Sequence, residues 1–316
     1  MRILFWFAFP ALLSAQDLPV STFSVVGRDS VTGELGIAVA SRFFAVGSVV
    51  PWAKAGVGAV ATQSYANTSY GWRALELLEQ GADPSQAEDI LLRTDSEGDR
   101  RQFGIVSADG KSTTYTGAKC LSWAGGRHGP NYACQGNILA GEAVVTAMEK
   151  TFLETNGTLA DRLYAALVAG EKAGGDSRGK QSAAILVVKK NAGYGGFTDR
   201  AIDIRVDDHP EPFMEIGRLL NYAQMNYAWN EAWTLFENKK SLEALPFMER
   251  AVSLAPKEGE VWYDLAVIRL AVGKTDPALD ALRKAIELNS KLKSSAAVDG
   301  DLEAFRSNKI FLEIIK

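Results

Sequence analysis

Before Pro212 the chain is dominated by short runs of apolar and β-branched residues, separated by glycine-rich turns. Such runs are typical of buried β-strands, whereas apolar residues spaced three or four apart are typical of helices. The predicted strands cover residues 22–26, 34–43, 56–63, 102–107, 112–115, 132–136, 183–189 and 202–206. The last two strands enclose the glycine-rich segment 193–196.

Two pairs of helices are predicted between these strands. Apolar spacing after Tyr70 predicts one helix, and Gly81 suits its C-terminal cap. Asp83 and Pro84 are typical of the N-cap and first turn of the next helix, which extends to residue 92. The second pair covers residues 141–154 and 159–170. The predicted elements thus alternate between groups of strands and pairs of helices. This order predicts sheets covered by helix layers.

After Pro212 the strand pattern disappears and an internal repeat replaces it. Segments 241–256 and 275–290 are similar at a constant offset of 34 residues, which is the period of tetratricopeptide repeats. The matched pairs are Ala244 with Ala278, Leu245 with Leu279, Met248 with Leu282, Ala251 with Ala285, and Leu254 with Leu288. We therefore predict a helical module over residues 225–316. A helix over 212–227 would join it to the first domain, and segment 301–315 would form a capping helix.

Composition and charge narrow the functional classes. The chain has 316 residues, 47% of them apolar and 23% charged, with a formal net charge of −4. Lys and Arg form no stripe, so nucleic-acid binding has no electrostatic support. Residues 1–15 combine one early positive charge, an apolar run and small final residues, which is typical of a secretory signal peptide. The alternative is a buried first strand or helix. The run is too short for a membrane anchor, so we expect a periplasmic or secreted protein without membrane association beyond the signal peptide.

The two cysteines and two histidines suggest structural roles. Cys120 and Cys134 lie 14 positions apart, and in an oxidising compartment we expect them to form a disulfide. The alternative is a pair of buried free thiols. Neither His128 nor His209 lies at metal-ligand spacing from a cysteine, so no metal site is predicted. His128 belongs to a glycine-rich segment predicted to be a flexible loop, and His209 to a surface turn.

Polar residues beside small ones mark the ends of several predicted strands. They are Ser41-Arg42, Thr62-Gln63-Ser64, Gln135-Gly136-Asn137 and Asp176-Ser177-Arg178-Gly179. Glycine permits close approach of a ligand, and Asn or Gln can stabilise a developing oxyanion. Polar residues at strand ends are also common where a loop begins. No serine-hydrolase elbow, zinc-protease motif or phosphate-binding loop is present in the sequence.

Long segments of the chain resemble the domain of unknown function 1028 family. The similarity covers residues 21–220 and is carried by residues 22–26, 33–53, 56–63, 69–71, 132–137, 174–184 and 206–210. The family is grouped with N-terminal-nucleophile hydrolases. This resemblance implies an α+β fold, a four-layer αββα sandwich, followed here by the small all-α module.

The resemblance also implies a chemistry. N-terminal-nucleophile hydrolases use a Thr, Ser or Cys that processing makes N-terminal, and its α-amine acts as the base without a cofactor. Thr22 stands where the superfamily places that residue. Signal cleavage after Ala15 would leave residues 16–21 ahead of it, so a second cut would be required.

The other predicted site residues support this nucleophile. Gln63 and Asn137 are oxyanion candidates, and Ser41, Arg42, Asp176 and Arg178 are candidates for binding substrate or orienting the nucleophile. For Arg42 with Asp176, a structural ion pair is the alternative. The predicted function is hydrolysis of a small amide-containing substrate outside the cytoplasm. The alternative is an inactive scaffold whose helical module binds a peptide or protein partner.

Overall fold

A computed structural model describes residues 22–316, so the predicted signal peptide lies outside the described part. The strands are β1 (Thr22–Arg28), β2 (Leu35–Ser41), β3 (Pro51–Lys54), β4 (Gly58–Ser64), β5 (Arg101–Ser107), β6 (Ser112–Thr116), β7 (Gly125–Gly129), β8 (Tyr132–Asn137), β9 (Ser182–Val188) and β10 (Arg200–Val206). The helices are α1 (Ser69–Glu79), α2 (Pro84–Arg93), α3 (Glu142–Glu154), α4 (Leu159–Lys172), α5 (Pro212–Glu237), α6 (Ser241–Leu254), α7 (Gly259–Ala271), α8 (Thr275–Leu288), α9 (Leu292–Val298) and α10 (Lys309–Ile314). Short 3₁₀ turns occupy Val46–Ser48, Gly98–Arg100, Tyr194–Gly196 and Gly300–Phe305.

The strands form two antiparallel sheets that pack face to face. The order is β10-β9-β2-β1-β8-β7 in the larger sheet and β3-β4-β5-β6 in the smaller. Side chains of β1 alternate between two environments: Phe23 and Val25 pack with α3 and α4, whereas Val26 belongs to the core between the sheets. Helices α1 and α2 cover the outer face of the smaller sheet. The predicted four-layer α+β sandwich with a following all-α region is confirmed.

The sequence pattern did not predict two edge strands, β3 and β7. β3 begins with a proline, and β7 consists of Gly-Gly-Arg-His-Gly, so neither has the apolar alternation of an internal strand. Both lie at the edge of a sheet, where partial exposure removes the need for that alternation. The predicted flexible loop around His128 is therefore wrong, because this residue pairs with Ala133 of β8.

The predicted disulfide is also wrong, since Cys120 and Cys134 are both free. Cys134 is fully buried on the face of β8 that packs against α3 and α4. The Cys120 thiol instead lies 3.3 Å from the carbonyl oxygen of Arg101, at the beginning of β5 in the other sheet. Because Cys134 packs against the helices and Cys120 contacts the smaller sheet, their short separation in sequence does not bring the two thiols together.

The helical region is built on one shared helix. Helix α5 was predicted to end near residue 227, but it continues to Glu237 and supplies the front helix of the first repeat. Its first half contributes Phe213 and Ile216 to the sandwich core, and its second half contributes Ala228 and Ala232 to the helical core. The predicted boundary between residues 220 and 225 thus falls inside this helix. Among residues 22–316, no helix has both the length and the apolar content to cross a membrane.

The repeat positions behave as their spacing requires. Ala244 and Ala251 of α6, and Ala278 and Ala285 of α8, are all fully buried. Small side chains at these positions allow the paired helices to approach closely. The predicted C-terminal cap consists of a 3₁₀ turn followed by α10, and it buries Phe305 and Phe311 in the same core.

Candidate functional site

Thr22 lies where the ends of three neighbouring strands of the larger sheet meet. It begins β1 and is fully buried. In the ladder it is the direct partner of Asn137, the last residue of β8. On the other side, its Oγ1 donates a hydrogen bond of 3.2 Å to the Oγ of Ser41, the last residue of β2. The structure therefore brings together three of the residues predicted for the site.

Gln63 reaches this cluster from the opposite sheet. Its Nε2 donates to the carbonyl oxygen of Thr22 at 3.2 Å and to Oε1 of Gln102 at 2.9 Å. Its Oε1 accepts a bond of 2.6 Å from Ser24 Oγ. Because both ends of the amide are engaged, Gln63 fixes the main chain of Thr22 and ties the two sheets together. Its predicted oxyanion role stays a prediction, and in this arrangement its donors are already used.

Gln102 is the centre of the buried network and was missed at the sequence level. Its Oε1 also accepts a hydrogen bond of 2.9 Å from Asn137 Nδ2. Its Nε2 donates to the carbonyl oxygen of Gly136 at 2.8 Å and to Thr116 Oγ1 at 2.9 Å. The available signal was an amide directly before the apolar stretch 103–106 of β5, since a buried amide requires partners for both of its ends.

A second amide extends the network further between the sheets. Gln135 Nε2 donates to Ser24 Oγ at 2.7 Å, and its Oε1 accepts from Thr114 Oγ1 at 3.2 Å. Gly104 of β5 makes room for it, because a Cβ atom at that position would lie 2.2 Å from Gln135 Oε1. The polar side chains occupy the Thr22 end of the layer between the sheets, while Val26 and Val106 continue it as an apolar core.

Asp176 joins the site through the main chain of β2. Its carboxylate is nearly buried and accepts a 2.8 Å bond from the backbone N–H of Arg42. It forms an ion pair with Arg178 at 3.1 Å, whereas the guanidinium of Arg42 donates to Gln181 at 2.9 Å. The alternative of an Arg42–Asp176 ion pair is thus replaced by an Arg178–Asp176 pair. The two guanidinium groups remain at the rim, where Arg42 is exposed and the Arg178 side chain is 35% exposed.

Backbone strain accompanies two of the predicted site residues. Ser64 follows Gln63 with φ of 70°, and Ile138 follows Asn137 with φ of 53°. A β-branched residue rarely adopts this left-handed conformation, and such strain costs about 1–3 kcal/mol. The surroundings hold Ile138 in place, since its carbonyl oxygen accepts from the N–H and the hydroxyl of Ser177 at 3.0 and 2.9 Å. The strain ends β8 abruptly and leads the chain away from Thr22.

Other nucleophile and ligand candidates are weak. Burial raises the pKa of the Cys120 and Cys134 thiols, so both stay protonated near neutrality. His128 Nδ1 lies 3.2 Å from the hydroxyl of Ser112, and His209 Nδ1 accepts from the backbone N–H of Glu211. Within residues 22–316, no three His, Cys, Asp or Glu side chains are grouped so that they could hold a metal ion.

Comparisons with known proteins agree with this architecture. A crystal structure of protein SPO2555 from Silicibacter pomeroyi, which is assigned to DUF1028, is 29% identical in sequence with a TM-score of 0.60. The similarity covers 66% of this chain and 93% of that one. None of the curated proteins matches the chain significantly. Residues 259–292 match a tetratricopeptide repeat. Residues 22–216 match the family of unknown function (DUF1028), and the chain belongs to that family.

Proposed function

We propose that this protein is an N-terminal-nucleophile amidohydrolase that acts on a small amide-containing substrate outside the cytoplasm. The observation that carries the proposal is the position of Thr22. Its hydroxyl lies at the head of the central strand β1, bonded to Ser41 and beside Asn137, within a cluster of buried polar groups. A dense polar network at one end of an otherwise apolar layer is a specific arrangement, because buried polar groups cost free energy unless each of them finds a hydrogen-bond partner.

The reaction requires a cut between Ser21 and Thr22. The new α-amine, with an ordinary pKa of about 7.7–8.0, accepts the proton of the Thr22 hydroxyl as Oγ1 attacks the amide carbonyl. The amine leaving group takes that proton, and water then hydrolyses the acyl ester and restores Thr22. Thr22 is fully buried in the uncut chain, so the cut must also open a path for the substrate.

Some of the neighbouring residues position Thr22, and others are suited to bind the substrate. Gln63 holds the Thr22 carbonyl, and Ser41 orients its hydroxyl. Asn137, the other oxyanion candidate, lies beside Thr22 on the adjacent strand, and its Nδ2 already donates one hydrogen bond to Gln102. At the rim the guanidinium groups of Arg42 and Arg178 suit a substrate that carries a carboxylate.

The mature N-terminus tests this proposal directly. Mass spectrometry of protein secreted from its native host should give a chain that begins at Thr22, and a β-lactone probe should label that residue. Thr22→Ala should abolish labelling, Thr22→Ser should retain part of it, and Thr234→Ala, at an exposed position of α5, should label normally. A mature chain that begins at Gln16 and carries no adduct would refute the catalytic role.

That outcome would favour the second candidate, an inactive scaffold whose helical module binds a protein or peptide. The tetratricopeptide match at residues 259–292 supports this reading, and so does the complete burial of Thr22. Partner binding by itself does not separate the two candidates, since the helical module can recruit a partner whether or not the sandwich is catalytic. Only the enzyme, however, requires Thr22 to be the first residue.

A further inference from the structure

A separate cavity lies between the sandwich and the helical module. Its volume is about 270 Å³. It is lined by the turn before β2, the end of β9, the beginning of β10 and of α4, and by α5 and α6. Val187, Ile202 and Phe247 give it apolar walls. Pockets for drug-sized ligands usually measure about 300–1,000 Å³, so this one suits a smaller molecule.

Charged groups from both parts of the chain meet in this cavity. Leu35 pairs with Val188, so the residues next to them, Glu34 and Lys189, lie at the same end of the β2–β9 ladder. Arg250 comes from α6 and donates a 3.0 Å hydrogen bond to Gln224 Oε1. The charged or polar side chains that line the cavity are Glu34, Lys189, Gln224, Arg250, Thr32, Thr158 and Tyr227.

The charged side chains that line the cavity form no ion pairs with one another. The ion pairs within residues 22–316 involve neither Glu34, Lys189 nor Arg250. Burial raises the pKa of Glu34, although the charges of Lys189 and Arg250 oppose the effect. Tyr227 also lines the cavity, and burial raises the pKa of its hydroxyl, although the charge of Lys189 opposes the effect. Among the residues that line the cavity, two cations thus accompany one carboxylate, and the carboxylate of Asp161 lies behind Gln224, which donates to it at 2.6 Å.

We propose that this cavity binds a small organic carboxylate with a short apolar body. Its carboxylate would lie between Lys189 and Arg250, where charge-assisted hydrogen bonds neutralise the excess positive charge. Its body would pack against the walls formed by Val187, Ile202 and Phe247. Because Lys189 belongs to the sandwich and Arg250 to the helical module, the bound ligand would fasten one to the other. The site is distinct from Thr22, and the inference does not depend on the proposed hydrolase activity.

Calorimetric titration of the full chain tests this inference, with phenylacetate as probe and neutral phenylacetamide as its counterpart. Phenylacetate should bind, and phenylacetamide should bind at least about ten-fold more weakly, because loss of a charge-assisted bond typically costs a factor of this size. Lys189→Gln and Arg250→Gln should each weaken phenylacetate binding by a similar factor. Lys190→Gln changes the neighbouring exposed lysine, which does not line the cavity, and should have no effect.

Ala201→Leu provides a test that leaves every charge in place. Ala201 is half-buried and lines the cavity, so a larger side chain there should fill the space and abolish binding. Circular dichroism of each variant checks that it is folded. The inference is overturned if phenylacetate does not bind at millimolar concentration. It is equally overturned if Lys189→Gln, Arg250→Gln and Ala201→Leu all bind phenylacetate as tightly as the unchanged chain does.

Discussion

Replacement of Gln102 by leucine removes the centre of the buried network without a large change in volume. Gln102 Oε1 accepts from Gln63 and Asn137, and its Nε2 donates to Gly136 and Thr116. Gln63 keeps the Thr22 carbonyl as an acceptor, but the amide of Asn137 and the carbonyl of Gly136 each lose a buried partner. A buried polar group deprived of its partner costs about 1–3 kcal/mol. Two such groups predict a loss of about 2–6 kcal/mol, out of a typical total of about 5–15 kcal/mol.

Urea unfolding followed by far-ultraviolet circular dichroism measures this loss as a lower midpoint at an unchanged slope. Gln80→Leu is a matched control, because Gln80 is exposed at the end of α1 and its replacement should change stability by less than about 0.5 kcal/mol. If Gln102→Leu also costs less than about 1 kcal/mol, the network does not depend on this amide. The assignment of Gln102 as its centre would then be refuted.

Two further predictions concern other buried groups. Trp229 and Trp233 both donate to one oxygen of Asp264 at 2.6 Å, and burial raises the pKa of that carboxyl to about 6 from an ordinary 3.8. The folded state therefore holds a proton that the unfolded state releases, so stability should fall by up to about 3 kcal/mol as pH rises from 4 to above 6. Asp264→Asn should remove this part of the pH dependence, measured by urea unfolding at both ends of that range, and an unchanged dependence would contradict the assignment. For the cysteines, protein unfolded without reductant should react with Ellman's reagent at both thiols. In the folded state, the fully buried Cys134 should react far more slowly than Cys120. Absence of reactive thiols after unfolding would show that a disulfide forms.

The sharing of α5 bears on how the two parts of the chain could communicate. Gln224, in the middle of this helix, donates to Asp161 of α4 at 2.6 Å and accepts from Arg250 of α6 at 3.0 Å. These hydrogen bonds join α6 to α4 of the sandwich through one residue of α5. The proposed carboxylate cavity lies beside these hydrogen bonds, since Gln224 and Arg250 also line it.

Local signals in the sequence were enough for most elements. The predicted N-cap Asp83 forms a complete capping box with Gln86, and Gly81 adopts the positive φ of 96° that suits a helix end. The internal strands were found because each buries both faces and so consists almost wholly of apolar and small residues. The 34-residue offset located the helical pairs, because small residues must recur wherever paired helices pack closely.

The candidate site was predicted only in part. Strand-end polarity and the family resemblance pointed to Thr22, Ser41, Gln63 and Asn137, and hydrogen bonds or strand pairing join these residues in the structure. Gln102 was not predicted, because the sequence of β5 is the same whether this amide faces solvent, a helix or another polar group. Its role depends on the distance between two sheets, which no local pattern encodes.

The sequence by itself determined most of the strands and helices, two of the helix caps, the repeat and the strand ends that carry polar groups. These features follow from residue periodicity and local backbone preference. Only the tertiary structure determined which faces of the strands and helices pack against each other. It placed Cys134 against the helices and Cys120 against the smaller sheet, and it paired the carboxylate of Asp176 with Arg178. The physical reason is that sequence separation only sets an upper limit on the distance between two residues. Whether they touch depends on which face of a sheet or helix each side chain lies on and what packs against that face.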